Sequence, residues 1–339
     1  MSNRNLTIGV VIVSFNTCTL LRECLDSLRT CTIPLRTIVV DNGSHDGSAD
    51  MVRTQFPSIE LVALQRNVGF ASGTNVGLRF LLERQTAPYS DQPVRNTQTS
   101  GTSTTAAETP DIDYILLLNP DTIIHPEAIE SLVTFLEEHP RVGAVGPRLL
   151  NPDGSIQHAA FRFPTLTMTL LDLFPPGEVV PGRLYNSWWH GRYPQERDGE
   201  SAFPIDHPLG ACMLVRRDTV DEIGLLDERF FMYTEEVDWC YRIREGGWAI
   251  WQVPNARVTH VGGAATTQFR ARMLIALYDS RLRFFTKHYS SSFVFWHRVI
   301  VQLGMLRMIL LVWREYLSGR LNREDLAIQL ATYGKVMRL

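Results

Sequence analysis

The chain has 339 residues, 45% of them hydrophobic, with a formal net charge of −3 and a pI near 6.3. This length can bury one large core, or a domain with an appendage, and the mild acidity argues against a nucleic-acid-binding protein. The average hides an asymmetry, because residues 265–339 carry 12 Lys and Arg against 4 Asp and Glu, which leaves residues 1–264 acidic. A basic region on an acidic body suggests an anionic partner such as a membrane surface.

The five cysteines form no CxxC pair and no spacing typical of a disulfide framework, which indicates reduced thiols in a cytoplasmic protein. The first apolar run is too short and too β-branched for a signal peptide. No uninterrupted apolar segment reaches the roughly 20 residues that span a bilayer. We therefore expect a cytoplasmic protein that meets a membrane, if at all, only at its inner surface.

The first part of the chain alternates between β-branched apolar stretches and segments of helical periodicity. Residues 7–14, 36–40 and 59–64 are predicted strands, and helical patterns follow the first and the third. The alternation predicts a parallel sheet with right-handed βαβ connections. The GxGxxG fingerprint of dinucleotide-binding proteins is absent from the first strand-to-helix turn.

Polar residues follow the second and third predicted strands. Asp41 stands at a strand end, placed to accept a hydrogen bond from a nucleobase N–H. Asp, Asn, Gly and Ser also build ordinary turns, but we favour the binding role. After the third strand, small residues in 65–75 let the backbone approach a ligand closely, and Arg66 could meet a phosphate or a base.

Residues 85–113 interrupt this pattern. Within them, residues 93–110 are almost wholly Thr, Ser, Ala, Gln and Gly, with no apolar periodicity. Such a composition has little to bury, so it predicts a mobile insertion without a core of its own.

Tyr114–Leu118 is apolar at every position, which predicts a strand buried on both faces. Asn119, Pro120 and Asp121 end it, because proline has no N–H for the ladder. A carboxylate thereby stands at the C-terminal edge of a buried strand, where open α/β sheets hold ligands. It suits a divalent cation that takes its other ligands from water and phosphate. The alternative is an Asx-type turn before a helix at residues 125–139.

The second half of the chain predicts short elements around a long connection. Residues 142–145 are a predicted strand, and a hairpin turns at residues 151–154. Residues 161–206 are rich in Pro, Gly and aromatics, and we expect a long loop that folds as a lid or substrate wall. Further strands are predicted at residues 207–216 and 248–253.

A helix is predicted to begin after Thr234, its N-cap, with Glu235 and Glu236 in the first turn. Acidic residues at that position complement the helix dipole without any catalysis, so their placement alone does not imply chemistry. His260 follows the last predicted strand, where a lone histidine is more often a packed or turn residue than a ligand.

Several motifs occur in a fixed order: VIVSFN at residues 11–16, VVDNGS at 39–44, RNVGF at 66–70, LNPD at 118–121, EEVDW at 235–239, and His260. Each is weak singly, but the ordered set resembles family 2 glycosyltransferases of the GT-A fold, particularly the bacterial rhamnosyltransferase-like branch. The resemblance implies an α/β fold with a mostly parallel, Rossmann-like nucleotide-sugar-binding sheet flanked by helices. The motifs cover roughly residues 6–263, and we predict a catalytic domain at residues 1–264 with a helical C-terminal appendage at residues 265–339.

The resemblance also implies a nucleotide-sugar donor, either dTDP-rhamnose or a UDP-sugar. The residues implied to bind the donor are Ser14, Asn16, Asp41, Asn42, Ser44, Arg66, Asn67, Gly69 and Asn119. Asp121 would hold Mg²⁺ or Mn²⁺ on the diphosphate, with His260 as a further metal or phosphate contact. Glu236 would be the catalytic base, with Glu235 as the alternative. Two positions depart from the family: Asn119 stands where many members have a first Asp, and the base is Glu where Asp is common.

We therefore predict a metal-dependent, inverting glycosyltransferase that acts on a hydroxyl of a glycan or lipid-linked acceptor in cell-surface polysaccharide synthesis. A metal ion neutralises charge on the departing nucleoside diphosphate, and a carboxylate takes the acceptor proton. One base without a second nucleophile suits a single displacement. The alternatives are a sugar-nucleotide nucleotidyltransferase, which needs a Gly-rich basic loop that residues 15–18 do not supply, and a non-catalytic nucleotide- or glycan-binding module.

The C-terminal region predicts a basic helix at residues 270–288 and a strongly apolar stretch at 293–313, with a tryptophan near each end. Arg298 and Arg307 are two and a half turns apart, so they face opposite sides. We expect them to spoil both a spanning helix and a clean amphipathic one. Charge and aromatics favour peripheral membrane contact, and packing on the catalytic domain or a second subunit is the alternative.

Overall fold

A computed structural model of the protein describes residues 6–82, 111–175, 187–262 and 270–339. The insertion predicted at residues 93–110 lies outside these ranges. Residues 111–113, which we assigned to the same interruption, belong to the fold instead. Ile112 is buried in the core, and the Asp113 carboxylate accepts the backbone N–H of Thr7 at 2.9 Å.

The strands and helices follow the predicted order. The strands are β1 (Ile8–Ser14), β2 (Leu35–Asp41), β3 (Glu60–Ala63), β4 (Tyr114–Leu118), β5 (Thr122–Ile124), β6 (Val142–Leu150), β7 (Ile156–Gln157), β8 (Ala160–Phe161), β9 (Phe203–Pro204), β10 (His207–Pro208), β11 (Cys212–Arg216) and β12 (Ala249–His260). The helices are α1 (Cys18–Leu28), α2 (Ser48–Gln55), α3 (Phe70–Leu82), α4 (Ala128–Glu138), α5 (Leu166–Leu173), α6 (Gln195–Asp198), α7 (Arg217–Ile223), α8 (Glu235–Glu245), α9 (Arg270–His288), α10 (Ser291–Leu317) and α11 (Arg323–Val336).

The main sheet has the strand order β3-β2-β1-β4-β11-β6-β12-β5, with β7 paired to β6 and β9 to β12. Strands β1, β2, β3 and β4 are parallel to one another, and β6 is parallel to β12. β11 runs antiparallel between β4 and β6. The predicted parallel βαβ unit and the hairpin between β6 and β7 are therefore both confirmed.

The core lies on both faces of the sheet, because alternate residues of a strand point to opposite sides. Ile8, Val10 and Ile12 of β1 pack with α1, α2 and α4. Val11 and Val13 of the same strand pack with α3 and α8. All seven β1 residues are buried, and so are all five of β4, as expected for strands covered by helices on both faces.

Three predicted elements need correction. The described part of residues 161–206 is not a loop throughout, since it contains α5, α6, β9 and a short 3₁₀ turn. α5 forms because Thr165 caps it and because Leu173 packs on Gly304 of α10. β6 is longer than predicted and runs through Pro147, which pairs with β12 beside an irregularity in the ladder. The segment at residues 207–216 divides into β10 and β11.

The C-terminal region is helical, as predicted, and α10 packs against α5, α9 and α11 around a small core that includes Tyr278, Val301, Met305 and Tyr333. We expected no segment able to span a bilayer, and this is wrong by length and composition. α10 is long and apolar enough, with a mean hydropathy of 1.5 over its best window. All five cysteines are free thiols, as expected.

Arg298 and Arg307 of α10 each bond to a backbone oxygen of the protein. Arg298 donates to the backbone oxygen of Leu339 at 3.1 Å, and Arg307 donates to the backbone oxygen of Leu173 at 3.0 Å. Each guanidinium therefore turns toward the protein at the side of the helix. The large apolar side chains left exposed on α10 are Phe295, Trp296, Leu303, Leu306, Leu310, Leu311, Trp313 and Leu317. Most recur every three or four residues, so we call them the apolar face of α10. Arg314 is also exposed and lies three residues from both Leu311 and Leu317, so α10 is not a clean amphipathic helix, as expected.

Candidate functional site

The carboxyl ends of the parallel strands meet at one edge of the sheet, and the predicted site residues follow them. Ser14 pairs with Asp41 across β1 and β2, and Ile12 pairs with Leu118 across β1 and β4. The antiparallel β11 begins at the same edge, with Cys212 opposite Leu118. Since neighbouring strands lie about 4.8 Å apart, β2 and β4 are separated by roughly 10 Å. This edge therefore brings the ends of β1, β2 and β4, each followed by one of the ordered motifs, within the length of a small ligand.

Asp41 is buried at this edge with one carboxylate oxygen engaged. Its Oδ1 accepts the backbone N–H of Ser44 at 3.0 Å, while its Oδ2 is buried without a hydrogen-bond partner among the described residues. The Ser44 hydroxyl accepts the backbone N–H of Asn16, and Asn16 Oδ1 accepts the backbone N–H of His45, both at 2.9 Å. Asn16 has φ 53°, a left-handed conformation that asparagine tolerates better than most residues. These bonds fix the two turns and leave Asp41 Oδ2 free for a donor.

The side chain of Asn42 forms hydrogen bonds within the protein, to the loop that follows β3. Its Nδ2 donates to Asn67 Oδ1 and to the Gly69 carbonyl, both at 3.1 Å, and its Oδ1 accepts a backbone N–H of the same loop. Gly69 has φ +93°, and a Cβ there would lie 2.5 Å from the backbone oxygen of Phe231. Asn42, Asn67 and Gly69 therefore shape the loop, and the exposed Arg66 is the member left to meet a ligand.

Asp121 and His260 face each other where β5 pairs with the end of β12. Asp121 Oδ1 lies 3.4 Å from His260 Nε2, and both residues are 8% exposed. The backbone oxygen of Asp121 accepts the N–H of Val261 at 3.0 Å, which holds the turn after β4 against the end of β12. Asp121 is thus more than a surface turn residue, because its carboxylate and the imidazole share one buried position.

Gln157 determines which ring nitrogen of His260 carries the proton. Its Nε2 donates to Asn151 Oδ1 at 3.0 Å and to the His260 carbonyl at 3.3 Å, so its Oε1 faces His260 Nδ1 at 2.6 Å. An amide oxygen only accepts, so a neutral His260 carries its proton on Nδ1. Nε2 then turns a lone pair toward the Asp121 carboxylate, and two acceptors that face each other suit a cation.

The residues present fit a divalent ion held by two protein ligands. Among the residues that the structure describes, no group of three His, Cys, Asp or Glu side chains is arranged to hold a metal. An ion at Asp121 and His260 would take its remaining ligands from phosphate oxygens and water, as Mg²⁺ commonly does at phosphate sites. The hydrogen bond from His260 to Gln157 is the usual way in which proteins orient a metal-binding imidazole.

The helix α8 begins with the acidic pair of the EEVDW motif and lies over the start of β11. A Cβ at Gly210 would lie 3.2 Å from Cγ of Glu236, so the glycine lets this side chain approach the sheet edge. The next carbonyl, that of Ala211, accepts the backbone N–H of Asn119 at 2.8 Å. Gly210 and Ala211 therefore connect the Glu236 side chain with the turn that carries Asp121.

Burial raises the pKa of both glutamates in this pair. Burial and then the charge of Glu236 raise the pKa of Glu235 well above its ordinary value. Burial also raises the pKa of Glu236, while backbone N–H groups at the helix start oppose the shift. In each carboxyl, Oε2 is buried without a hydrogen-bond partner within the described ranges. Both carboxyls therefore hold a proton more tightly than an exposed glutamate does.

The turn before α8 is strained and held from two sides. Tyr233 and Thr234 have φ of 67° and 69°, a conformation that costs a non-glycine residue about 1–3 kcal/mol. The Thr234 hydroxyl makes no capping hydrogen bond, so the N-cap prediction is right in position and wrong in bonding. A backbone N–H of α3 donates to the Phe231 carbonyl at 2.7 Å, and the Ser280 hydroxyl donates to the carbonyl of residue 232 at 2.8 Å.

Asp238 joins α8 to the C-terminal helices. Its side chain is fully buried and accepts from Arg242 Nε at 2.9 Å, Lys287 Nζ at 2.7 Å and His288 Nε2 at 2.7 Å. Lys287 also reaches Asp227 Oδ2 at 2.8 Å, in the loop before α8. The end of α9 is therefore bound to the helix that presents Glu235 and Glu236.

A model of the family described as "Glycosyltransferase like family 2" matches residues 5–278. The chain belongs to this family. The fold, the enzyme class and the rhamnosyltransferase-like resemblance predicted from the sequence are confirmed, and the protein is a glycosyltransferase rather than a nucleotidyltransferase or a non-catalytic binding module.

Individual relatives agree with this assignment. The N-acetylglucosaminyl-diphospho-decaprenol L-rhamnosyltransferase of Mycobacterium tuberculosis is 30% identical over 283 residues, which cover 83% of this chain and 84% of that protein. The low-salt glycan biosynthesis hexosyltransferase Agl10 of Haloferax volcanii is 27% identical over 248 residues, or 73% of this chain and 65% of that protein. The structure of mannosyltransferase PcManGT from Pyrobaculum calidifontis, in complex with GDP-Man and Mn²⁺, has a TM-score of 0.53 at 14% identity and covers 97% of this chain and 85% of that one. The last likeness shows a shared GT-A fold.

The structure of this glycosyltransferase brings most of the predicted residues to one sheet edge. Those at the edge are Ser14, Asn16, Asp41, Ser44, Asn119, Asp121, Glu236 and His260. The Ser14 hydroxyl bonds with that of Thr17 at 2.9 Å, so it supports the first turn. Gln157 and Asp238 were missed as site residues. Gln157 carried no sequence signal beyond its hairpin, whereas Asp238 was visible as the third acidic residue of the EEVDW motif.

Proposed function

We propose that the protein transfers a hexosyl group, in the first instance rhamnosyl, from a nucleoside diphosphate to a hydroxyl of a glycan or lipid-linked glycan acceptor, with inversion. The observation that carries the proposal is the pair of facing acceptors, Asp121 Oδ1 and His260 Nε2, beside the buried carboxyl of Glu236. The reaction requires neutralisation of charge on a diphosphate and removal of a hydroxyl proton. Asp121 and His260 suit the first requirement, because they can hold a cation, and Glu236 suits the second.

The donor is proposed to lie along the sheet edge, with its base at Asp41. The buried and unpartnered Oδ2 of Asp41 is an acceptor for the ring N–H of thymine or uracil. Arg66 stands exposed at the rim of the neighbouring loop and can approach a base or a phosphate. Both dTDP-rhamnose and UDP-sugars have such a ring N–H, and the rhamnosyltransferase of M. tuberculosis supports rhamnose as the first sugar to test.

Asp121 Oδ1 and His260 Nε2 are proposed to hold Mg²⁺ or Mn²⁺, which would neutralise charge on the diphosphate leaving group. Gln157 keeps the His260 proton on Nδ1, so that Nε2 stays available to the ion. The Mn²⁺ in the structure of PcManGT, a protein of the same fold, supports a divalent ion at this edge.

Glu236 is proposed to be the base, and Glu235 its protonated neighbour. As the acceptor oxygen bonds to the anomeric carbon, the bond from that carbon to the diphosphate oxygen breaks, and the acceptor proton passes to Glu236. The pKa of Glu236, raised by burial, brings this carboxylate nearer to the operating pH, where a general base is most effective. Gly210 leaves room for the side chain above the sheet edge.

Calorimetry tests the donor and metal assignments together. Titration of dTDP-rhamnose and UDP-sugars into the protein, with Mn²⁺, Mg²⁺ or EDTA, should show binding of one donor that strengthens with metal. Asp121→Asn should remove the metal effect and keep the weaker, metal-free binding. Asp153→Asn, an exposed carboxylate of the nearby hairpin, is the matched control. Metal-dependent binding that survives Asp121→Asn would refute the assignment.

We also propose that the apolar face of α10 rests on the cytoplasmic surface of a membrane, near a lipid-linked acceptor. Leu310 and Leu317 are 71% and 78% exposed, and the basic C-terminal region supplies charge complementary to anionic lipid. Full-length protein should float with anionic vesicles, and Leu310→Ser with Leu317→Ser should abolish flotation. Ile328→Ser, at an exposed position of α11, is the control. A dimer that the Leu variants dissociate, without vesicle binding, would make this face a subunit interface and refute the membrane contact.

A further inference from the structure

Phe230 and Phe231 are neighbours with opposite burial in the loop before α8. Phe230 is 1% exposed and packs with Phe284 and Phe285 of α9, whereas Phe231 is 48% exposed. Burial of a phenyl group stabilises a fold, so half exposure forgoes part of that gain. The stability of the fold therefore does not account for the apolar ring of Phe231.

Phe231 is held against the loop that follows β3. Its carbonyl accepts the backbone N–H of Phe70 at 2.7 Å. A Cβ at Gly69 would lie 2.8 Å from Cδ2 of the Phe231 ring, so the lack of a side chain there lets the ring lie on this loop. The Gly69 carbonyl in turn accepts from Nδ2 of Asn42, the residue after β2. The ring therefore lies beside the sheet edge that ends in Asp41.

The chain turns sharply between Phe231 and the acidic pair of α8. Tyr233 and Thr234 both have positive φ, as the two central residues of a type I′ turn do. In such a turn the residues on either side of the central pair, here 232 and 235, lie within about 7 Å of each other. Phe231 and Glu236 follow one position farther out at each end. The exposed ring and the proposed base therefore stand at the two ends of one tight turn.

The place of the transferred sugar follows from the proposed function, and the role of Phe231 rests on it. The diphosphate of the donor lies at Asp121 and His260, and Glu236 takes the proton of the acceptor. The anomeric carbon stands between the diphosphate and the acceptor oxygen, so the transferred sugar lies next to Glu236. Phe231, at the other end of the same turn, then borders the sugar.

The chemistry of a phenyl ring selects the part of the sugar that it contacts. The ring has no N–H or O–H donor and no oxygen acceptor for the hydroxyl groups of a hexose. A hydroxyl that faces it loses a hydrogen bond to water without replacement, which is unfavourable. The fully apolar substituent of a 6-deoxyhexose is its C6 methyl group, and burial of that group against the ring is favourable.

We propose that Phe231 is a specificity-determining residue whose ring packs against the C6 methyl group of a 6-deoxyhexosyl group, such as rhamnosyl, in the donor. The contact favours such donors over those with a hydroxyl at C6. One methylene or hydroxyl in an apolar pocket typically changes selectivity by about 10–200-fold. Because the ring is half exposed, we expect the low end of that range, about tenfold.

Calorimetry with Mn²⁺ and without acceptor tests the contact. The probes are dTDP-L-rhamnose, dTDP-L-mannose, which differs only by a hydroxyl at C6, and dTDP, which has no sugar. The wild type should bind dTDP-rhamnose about tenfold more tightly than dTDP-mannose. Phe231→Ser should bind dTDP-rhamnose about tenfold more weakly and lose the preference, with its affinity for dTDP unchanged. Leu170→Ser, at a 45% exposed position of α5, is the matched control and should change none of the three affinities.

Phe231→Tyr separates the contact from folding. The ring remains over Gly69, so the melting temperature without ligand should equal that of the wild type. The added hydroxyl offers a hydrogen-bond partner to the C6 hydroxyl of dTDP-mannose. The ratio of the two affinities should therefore fall toward one, again with the affinity for dTDP unchanged.

The contrary results are distinct from one another. Equal weakening of dTDP and dTDP-rhamnose in Phe231→Ser would place the ring on the nucleotide and overturn the proposal. A wild-type preference for dTDP-mannose, or unchanged affinities in both Phe231 variants, would also overturn it while leaving the donor site intact. Failure of the wild type to bind dTDP and dTDP-rhamnose would instead refute a thymidine donor. The same comparison with UDP, UDP-6-deoxyglucose and UDP-glucose would then decide the role of Phe231.

Discussion

Replacement of Asp238 by Asn should destabilise the protein far more than loss of a similar pair at the surface. The Asp238 side chain is fully buried and accepts bonds from Arg242, Lys287 and His288. Breaking a buried ion pair by removal of one partner costs about 3–5 kcal/mol, because the other charges stay buried without compensation. Domains are stable by only about 5–15 kcal/mol, so this is a large part of the free energy of unfolding.

The pH dependence of this effect has a definite sign. Burial acts to raise the pKa of Asp238, but the bonds from His288, Lys287 and Arg242 outweigh it and lower the pKa below the ordinary 3.8. A carboxyl whose pKa is depressed in the folded state adds stability above its unfolded pKa and loses it as the pH falls through the folded value. The difference between wild type and Asp238→Asn should therefore be full above pH 4 and shrink below it.

Asp221→Asn is the matched control. Asp221 pairs with Arg217 four residues away, the same spacing as Asp238 and Arg242, but its side chain is 54% exposed. Exposed pairs of this kind contribute about 0–1 kcal/mol. Urea unfolding followed by tryptophan fluorescence gives both free energies. If Asp238→Asn costs no more than Asp221→Asn, the network does not fasten α9 to α8.

Three further predictions concern the catalytic edge. Glu236→Gln should lower kcat about 10²–10⁴-fold with donor affinity retained, and Glu235→Gln should lower kcat less. The acidic limb of the wild-type pH profile of kcat should lie above pH 4.5, the ordinary glutamate pKa, because burial raises the pKa of Glu236. Steady-state kinetics across pH checks this, and equal effects of the two changes would contradict it. Gln157→Leu should weaken metal-dependent donor binding about 10–100-fold in calorimetry, since His260 loses the bond that orients it. Gly69→Ala should destabilise by about 1–3 kcal/mol in urea unfolding, because φ is +93° and a Cβ would meet a backbone oxygen at 2.5 Å, whereas Gly47→Ala, with open space around it, should cost less.

The strands that carry the site could be predicted because their burial pattern is local. Tyr114–Leu118 has the predicted bounds, since five apolar residues in a row followed by Asn119 and Pro120 leave few other arrangements. Asp41 was predicted at the end of a strand for the same reason, and it closes β2. An apolar strand followed by polar turn residues therefore predicts both the strand and the sheet edge at which those polar side chains lie.

The partners of these residues could not be predicted, because they come from distant parts of the chain. Gln157 and His260 are 103 residues apart, and Asp238 and His288 are 50 residues apart. The periodicity of a sequence does not predict contacts between such distant residues, because these depend on how strands pair and helices pack. The left-handed turn at Tyr233 and Thr234 was equally hidden, because neither residue favours that conformation, and hydrogen bonds from α3 and α9 hold the two residues before it.

The arginines of α10 have partners that could not be predicted from the sequence. Arg298 and Arg307 do lie on opposite sides of the helix, as nine residues of helical spacing require. A long side chain can bury its stem and turn its charged end to a distant acceptor, so the position of the Cα does not fix where the charge lies. Both guanidinium groups reach backbone oxygens, those of Leu339 and Leu173.

The helix α9 relates that apolar face to the catalytic edge. His288 of α9 binds Asp238 of α8, the helix that carries the proposed base. One turn earlier in α9, Phe285 packs against His297 of α10. Ser280 of the same helix bonds to the strained turn before Glu235. A surface that binds the apolar face of α10 therefore meets a catalytic edge whose orientation is fixed by buried contacts of one helix.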